Sequence, residues 1–149
     1  MRFFRKNLLF LLLFIIVPFL NVTLQAQNKP DDIIGFYLNE DPFSGAISQV
    51  YIYHTGNGIY EGIVVWVNEE ARKIYEGLVF LKGMTFNAKE NEWQNATMLY
   101  PGKKGNYKAF MRLEKDGRLR VRGYWGVSML GKTLYWQREQ ESRNKKIKP

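Results

Sequence analysis

Residues 107–122 read Tyr-Lys-Ala-Phe-Met-Arg-Leu-Glu-Lys-Asp-Gly-Arg-Leu-Arg-Val-Arg, and this stretch indicates the fold. Before the Asp116-Gly117 pair, apolar side chains occupy every second position: Tyr107, Ala109, Met111 and Leu113. After it, Leu119 and Val121 alternate with arginines. A period of two is typical of a half-buried strand, and Asp-Gly between two such runs favours a tight turn. The sequence therefore predicts an antiparallel hairpin.

Short β-like runs separated by turn residues continue in both directions from this hairpin. Upstream they cover 33–38, 47–54, 59–67, 78–86 and 93–100, and downstream a last run covers 132–138. About eight strands joined mostly by short turns predict an all-β domain, either an antiparallel up-and-down barrel or a sandwich. Consecutive hairpins favour the barrel, which also removes the exposed strand edges that promote aggregation.

The N-terminus has the order of features of a secretory signal peptide. Three basic residues precede an almost wholly apolar segment from Leu8 to Leu20, and Ala26 is a small residue at a suitable cleavage position. The apolar segment has 13 residues, whereas a spanning helix needs about 20. We therefore predict a signal peptide over 1–26 and a mature protein that is exported, periplasmic or extracellular, and not membrane-spanning.

The remaining chain suits one domain. Removing residues 1–26, which carry three bases and no acid, leaves 123 residues and lowers the formal net charge from +8 to +5. This mildly basic balance does not indicate a nucleic-acid partner. The chain has no cysteine, so burial of apolar side chains must hold the fold. We predict a loosely docked or disordered leader over 27–32, a barrel domain over 33–138 and a mobile charged tail over 139–149.

The C-terminal half carries a family resemblance in Leu119-Arg120-Val121-Arg122-Gly123-Tyr124, followed by Leu130-Gly131, Thr133, Trp136 and Arg138. These residues resemble the pattern of the DUF2147 family, bacterial exported proteins of unknown function. Tyr60–Val64 and Gly77–Met84 resemble earlier segments of that pattern, so the match covers nearly all of the mature chain. The resemblance implies a lipocalin-like barrel in the cell envelope with no established activity.

Three positions depart from the family pattern. Gly35-Phe36-Tyr37 stands where the family usually begins with glycine-x-tryptophan. Tyr100 stands before Pro101, where the family commonly has aspartate, and Lys132 replaces the usual arginine. In lipocalin-like proteins a late arginine often packs on an aromatic residue of the first strand. The resemblance implies this role for Arg138, with Phe36 or Tyr37 as its partner.

No catalytic constellation is visible in the sequence. His54 is the single histidine, and a catalytic triad or a metal site would need partners of defined type and spacing. Glu61 lies in an apolar strand and is the carboxylate best placed for partial burial. We predict a protein that is not an enzyme and that needs no cofactor or metal.

The interior of an eight-stranded barrel either fills with side chains or holds one small ligand. We predict an elongated apolar molecule or lipid in contact with Trp66, Tyr107 and Trp136. Its polar or acidic end would meet Arg112 or Arg122. The alternative is that Arg118, Arg120 and Arg122 form a solvated outer face, which the cost of an unpaired buried charge favours. Arg112 is a candidate because Phe110 breaks the apolar alternation beside it, and Arg122 because the neighbouring Gly123 permits close approach.

Three functions remain open at this stage. The first is an envelope protein that binds a small apolar ligand, since a concave apolar site is the usual location of ligands. The second is a non-catalytic interaction module that docks to another envelope component. The third is an enzyme of unrecognised type.

Overall fold

A computed structural model describes residues 26–102, 105–126 and 131–147. The segment interpreted as a signal peptide lies outside these residues except for Ala26. Eight strands follow one another along the chain: β1 (Gly35–Glu40), β2 (Ile47–Gly56), β3 (Ile59–Val67), β4 (Val79–Asn87), β5 (Glu92–Leu99), β6 (Asn106–Leu113), β7 (Leu119–Tyr124) and β8 (Lys132–Glu139). None of the helices in the described ranges has the length and apolar character needed to cross a membrane.

The strands close into an antiparallel barrel in sequence order. Each strand pairs with the next, and β1 pairs with β8 through Tyr37 opposite Arg138. The up-and-down barrel predicted from consecutive hairpins is therefore confirmed over the sandwich. In the β6–β7 hairpin, Met111 lies opposite Val121 and Leu113 opposite Leu119, and all four side chains pack in the interior.

A short 3-10 helix, Pro30–Ile33, closes one end of the barrel; we call it the plug helix and that end the closed end. Ile33 is fully buried in the core. The Trp93 indole donates to the Pro30 carbonyl at 2.9 Å, and the Tyr60 hydroxyl donates to Asp31 at 2.6 Å. The prediction of a loosely docked leader is thus wrong, because side chains of distant strands hold this polar segment by hydrogen bonds to Pro30 and Asp31.

Arg138 fastens the plug helix to the last strand. Its guanidinium lies 5.5 Å from the centre of the Tyr37 ring and donates to the carbonyls of Asp32 and Ile34 at 2.9 and 2.6 Å. The packing of this arginine on an aromatic residue of the first strand is confirmed, with Tyr37 as the partner. Burial, opposed by the Arg138 charge and reinforced by Asp32, raises the pKa of Tyr37 to about 12.

The segment after β8 packs on the outer wall of the barrel. The Arg143 guanidinium lies 4.9 Å from the centre of the Trp66 ring, and its backbone N–H donates to the buried Gln49 at 2.8 Å. Asn144 donates to Glu76 at 2.9 Å. Described residues of the segment predicted as a mobile tail are therefore held by specific hydrogen bonds.

Candidate functional site

The barrel is filled at its closed end and hollow at the other. Beside the plug helix the interior is occupied by large, fully buried side chains: Tyr37, Ile52, Tyr60, Leu81, Met84, Trp93, Met111 and Leu119. A cavity of about 460 Å³ occupies the opposite half. It opens between the β1–β2, β3–β4, β5–β6 and β7–β8 connections, which antiparallel alternation places at one end, here called the open end.

The cavity wall is predominantly apolar. Side chains from six strands and the loops between them contribute: Ala46, Ile47, Val64, Val67, Leu78, Phe80, Met98, Val121, Leu134 and Trp136. Gly123 also lines the cavity, and a Cβ there would come within 3.2 Å of the Met98 methyl group. A small side chain at position 123 therefore helps to keep this part of the interior empty.

Trp136 lies at the junction of the filled and hollow halves. Its side chain is 2% exposed, and its ring centre lies 6.1 Å from that of Phe80. The indole nitrogen has no hydrogen-bond partner among the described residues. Trp136 thus contributes a large apolar surface to the cavity, while its buried N–H costs free energy.

One carboxylate joins the loops at the open end. Asp41, just after β1, accepts hydrogen bonds from the Tyr100 hydroxyl, from Ser44 Oγ at 2.5 Å and from the Phe43 backbone N–H at 2.9 Å. Arg72, from the 3-10 helix Glu70–Tyr75, places Nη1 3.6 Å from the same carboxylate. We call Glu70–Tyr75 the rim helix. Asp41 therefore connects the β1–β2, β3–β4 and β5–β6 connections.

These contacts set the protonation states at the mouth of the cavity. Burial raises the pKa of Asp41, but the hydrogen bonds from Ser44, Tyr100 and Phe43 and the Arg72 charge outweigh it, so the pKa lies below its usual value of 3.8. Burial and the adjacent Asp41 raise the pKa of Tyr100 above its usual range. The pair is thus an ionised carboxylate and a neutral phenol at neutral pH.

Two cations border the cavity at its mouth. Arg72 is engaged with Asp41 and with Glu69, whose carboxylate lies 2.9 Å from Arg72 Nε. Lys132, at the start of β8, is exposed and contributes to the cavity lining. Unlike Arg72, Lys132 forms no ion pair with any carboxylate in the described part of the chain. The mouth therefore presents a positive charge next to an apolar cavity.

The structure brings two of the five predicted ligand contacts to the cavity. Tyr107, at the start of β6, and Trp136 both line it. The Tyr107 ring packs edge-on to Tyr100, with centres 5.8 Å apart. The role of both residues in binding a ligand stays a prediction.

Trp66 lies on the outer wall, which corrects the prediction that it lines the interior. Tyr60, Gly62 and Val64 face inward, and strict alternation would continue to Trp66. The register shifts here, because Val50 pairs with Val64 while Gln49 pairs with Trp66. This bulge inserts one extra residue and turns Trp66 outward, where Arg143 covers its ring.

Arg112 and Arg122 also lie on the outer wall, so the predicted anion site inside the barrel is wrong. Arg112 forms an ion pair with Glu92 at 3.2 Å, and Arg122 donates to Thr133 Oγ1 at 2.9 Å. Phe110 does not mark a mixed inner face, because its ring packs on Tyr124 with centres 6.3 Å apart. Alternation holds through both strands, and an unpaired guanidinium inside would be costly.

Sequence reasoning missed the polar residues at the mouth. Asp41, Arg72 and Tyr100 come from three different connections, and no spacing in the sequence links them. Two signals were present: Asp41 precedes Pro42 in a turn, and Tyr100 and Lys132 are two of the three positions that depart from the family pattern. These two border the cavity, whereas the third, Gly35-Phe36-Tyr37, begins β1 next to the plug helix.

The other candidates for chemistry lie apart from this cavity. His54 stacks on Tyr60 with ring centres 4.7 Å apart and accepts a hydrogen bond from the Gly58 N–H at 3.1 Å. Glu61 accepts from the Tyr53 hydroxyl at 2.9 Å. Burial, together with Glu61, raises the pKa of Tyr53 to about 12. Within the described ranges, no three His, Cys, Asp or Glu side chains form a group that could hold a metal ion.

Comparison with known proteins agrees with this architecture. The family described as "Uncharacterized protein conserved in bacteria (DUF2147)" matches residues 35–138. The solved structure of protein HP1028 from the human pathogen Helicobacter pylori, described as belonging to the lipocalin family, superimposes with a TM-score of 0.61 at 14% identity. The superposition covers 73% of this chain and 84% of that one. No curated protein matches the sequence. At this identity the structural similarity shows a lipocalin-like fold.

Proposed function

This chain belongs to the DUF2147 family of uncharacterized bacterial proteins, and we propose that it is an exported protein that binds a small apolar molecule in the open half of its barrel. The observation that carries the proposal is the cavity of about 460 Å³ with a predominantly apolar wall. Pockets that bind small molecules are typically apolar, with a few polar groups that fix orientation, and have volumes of about 300–1,000 Å³. The proposal includes no catalytic step.

The ligand that fits best is elongated and has one polar or acidic end. Its apolar body would lie against Leu134, Trp136 and Phe80, deep in the cavity. Its polar end would remain at the mouth, where Lys132 offers a positive charge and Tyr107 a hydroxyl group. This orientation replaces the internal arginine contacts expected from the sequence.

The proposed export rests on the N-terminal sequence. Ala26 ends the segment with signal-peptide features, and Gln27 would be the first residue of the mature protein. Asn28 is already part of the fold, since its N–H donates to Asn91 at 2.9 Å. N-terminal sequencing of exported protein should find Gln27. A start inside the plug helix or a full-length membrane-bound product would contradict the proposal.

A displacement titration with a fluorescent fatty-acid probe tests the binding site. Val64 in β3 and Val121 in β7 line the cavity from strands that are four apart in the barrel. The double variant Val64→Phe/Val121→Phe fills the cavity from both sides, and we expect it to weaken probe binding by about tenfold or more, which corresponds to about 1.4 kcal/mol. Denaturation curves confirm that the variant is folded.

Matched controls come from the outer wall. Arg112→Met and Arg122→Met change side chains outside the cavity, so the proposal predicts wild-type probe affinity for both. If Arg122→Met weakens binding as much as the cavity-filling variant, the ligand is not in the cavity. If the wild type binds no acyl probe, the proposed function fails.

Lys132 is tested with two probes of the same chain length. Lys132→Met should weaken binding of a fatty acid by about two- to fivefold, as expected for an exposed ion pair, and leave binding of the corresponding alcohol unchanged. Equal weakening of both probes would mean that Lys132 contributes packing and not charge.

The second candidate function is an interaction module that docks to another envelope component. The observation that favours it is a set of exposed apolar side chains at the open end, including Phe43 and Trp125. This function does not need an occupied cavity. It therefore becomes the better candidate if the titration finds no ligand binding while the open end still mediates an interaction.

A further inference from the structure

Large apolar side chains project into solvent around the mouth of the cavity. Phe43, Ile74, Leu99 and Trp125 are 59%, 79%, 44% and 71% exposed, respectively. They come from the β1–β2 loop, the rim helix, the end of β5 and the start of the β7–β8 loop. Since alternate connections of an up-and-down barrel share one end, the four residues surround the mouth. We call them the apolar rim.

The closed end has a different character. Its turns consist mainly of polar and charged residues or glycine: Thr55–Gly58, Ala88–Asn91 and Glu114–Gly117. Ile59 is the large apolar side chain exposed there, at 37%. Scattered exposed apolar residues are normal on a protein surface, whereas a cluster at one end marks an interaction site.

Among the described residues, the charges around the apolar rim are nearly balanced. In the rim helix Lys73 pairs with Glu70 at 2.5 Å, and Arg72 pairs with Glu69 just before it. Asp41 is held by Arg72 and Tyr100. Exposed Glu40 and Lys132 carry opposite charges at the ends of neighbouring strands. Such a surface fits a zwitterionic headgroup layer without net repulsion, and its affinity must come from the apolar side chains.

We propose that the apolar rim inserts into the surface of a lipid bilayer and places the mouth of the cavity against the membrane. Trp and Phe are suited to this interface because their rings bury apolar surface at the boundary between headgroups and acyl chains. The side chains stand on four separate segments around an opening, so they can enter a fluid layer independently. A rigid protein partner would have to match all four positions at once.

Membrane docking explains how an apolar ligand could reach the cavity. The plug helix fills the closed end. In the described part of the chain, the cavity therefore opens to the outside through the mouth, inside the apolar rim. A ligand that passes directly from the bilayer avoids the unfavourable exposure of its apolar chain to water. This exchange rests on the proposed function, whereas docking itself depends only on the rim.

Vesicle flotation tests the docking. The purified protein, in the N-terminal form that the cell releases, is mixed with phosphatidylcholine vesicles, with or without phosphatidylglycerol. We expect the wild type to float with both compositions, to remain bound in high salt, and to shift its tryptophan emission to shorter wavelength. The variant Phe43→Ser/Trp125→Ser should bind the vesicles at least about tenfold more weakly, because two of the side chains that enter the bilayer are lost.

The control variant carries Ile59→Ser and Tyr135→Ser, which alter exposed apolar residues away from the mouth, in the same N-terminal form. It should float like the wild type. The docking proposal is overturned if the wild type does not float with either composition, if both variants lose binding equally, or if high salt releases the protein. A rim variant that loses a defined protein partner while vesicles never bind would assign the rim to protein docking.

A probe titration without vesicles separates this proposal from the proposed function. Probe binding without vesicle binding would overturn the docking and leave the ligand site intact. Vesicle binding that depends on the rim, without probe binding, would support the docking and overturn the ligand site.

Discussion

Trp136 shows how one residue serves both the fold and the cavity. Its ring packs on Phe80 at the junction of the filled and hollow halves, and its side chain is almost completely buried. The indole nitrogen has no described hydrogen-bond partner. The stability that Trp136 provides must therefore come from apolar contact, with the N–H as a cost.

Two substitutions of Trp136 separate these contributions. Trp136→Ala should lower the free energy of unfolding by about 3–5 kcal/mol, as for other large buried aromatic residues. Trp136→Phe should cost less, because it keeps an aromatic ring and removes the unsatisfied N–H. Urea denaturation measures both. An unchanged midpoint for Trp136→Ala, or an equal loss for both variants, would contradict the packing described here.

Asp41, also a single residue, makes a pH-dependent contribution to the stability of the folded protein. Because the pKa of this carboxyl is lower in the folded protein than its usual 3.8, the folded state favours the ionised form. The resulting stability is complete above the unfolded pKa and is lost as pH falls through the folded pKa. Below about pH 4 the wild type should therefore lose the support that Asp41 gives to three loops.

The variant Asp41→Asn should remove this contribution. At neutral pH we expect it to lower the free energy of unfolding by about 1.5–3 kcal/mol, the usual range for hydrogen bonds to a charged group. The difference from the wild type should shrink as pH falls from about 5 to about 2. Arg143 also lowers the pKa of Glu139, so protonation of Glu139 destabilises the fold over the same pH range. This effect is equal in the variant and the wild type, and it cancels when the two are compared. A difference that grows on acidification would contradict the sign of the shift.

At the scale of elements, alternation and turn chemistry were sufficient to predict the strands. The predicted β6–β7 hairpin is present and turns at Asp116-Gly117, and its register places Met111 opposite Val121 and Leu113 opposite Leu119. The alternation of inward and outward side chains predicted the wrong face for Trp66. A bulge before Trp66 moves the residues that follow it to the opposite face of the strand, and no local sequence signal marks the bulge. The plug helix was missed because its order comes from Trp93 and Tyr60, far away in the sequence.

The plug helix should contribute substantially to stability. Ile33→Ala removes a fully buried side chain from the closed end and should cost about 2–4 kcal/mol. Ile74→Ala is the matched control, since the same change in the rim helix affects a side chain that is 79% exposed. It should stay within about 0.5 kcal/mol of the wild type. Equal urea midpoints for the two variants would mean that the plug helix does not close the barrel.

At the scale of the whole molecule, the division into a filled and a hollow half determines what the barrel can do. Sequence composition could not decide between a filled and an open interior, because the same aromatic residues suit both. The division depends on where each inward side chain lies along the barrel axis: Tyr60 and Trp93 reach the plug helix, whereas Gly123 and Val121 border empty space. The mouth residues Asp41, Arg72 and Tyr100 lie on three separate connections, and the closed barrel brings them together.

Native mass spectrometry of the protein purified from its own cells shows whether the hollow half holds an apolar ligand. We expect a wild-type mass larger than that of the polypeptide, by a difference that organic extraction removes. We also expect that Val64→Phe/Val121→Phe has the bare mass and that Arg122→Met retains the difference. A bare mass for the wild type, or the same retained mass in the cavity-filling variant, would contradict the proposed ligand binding.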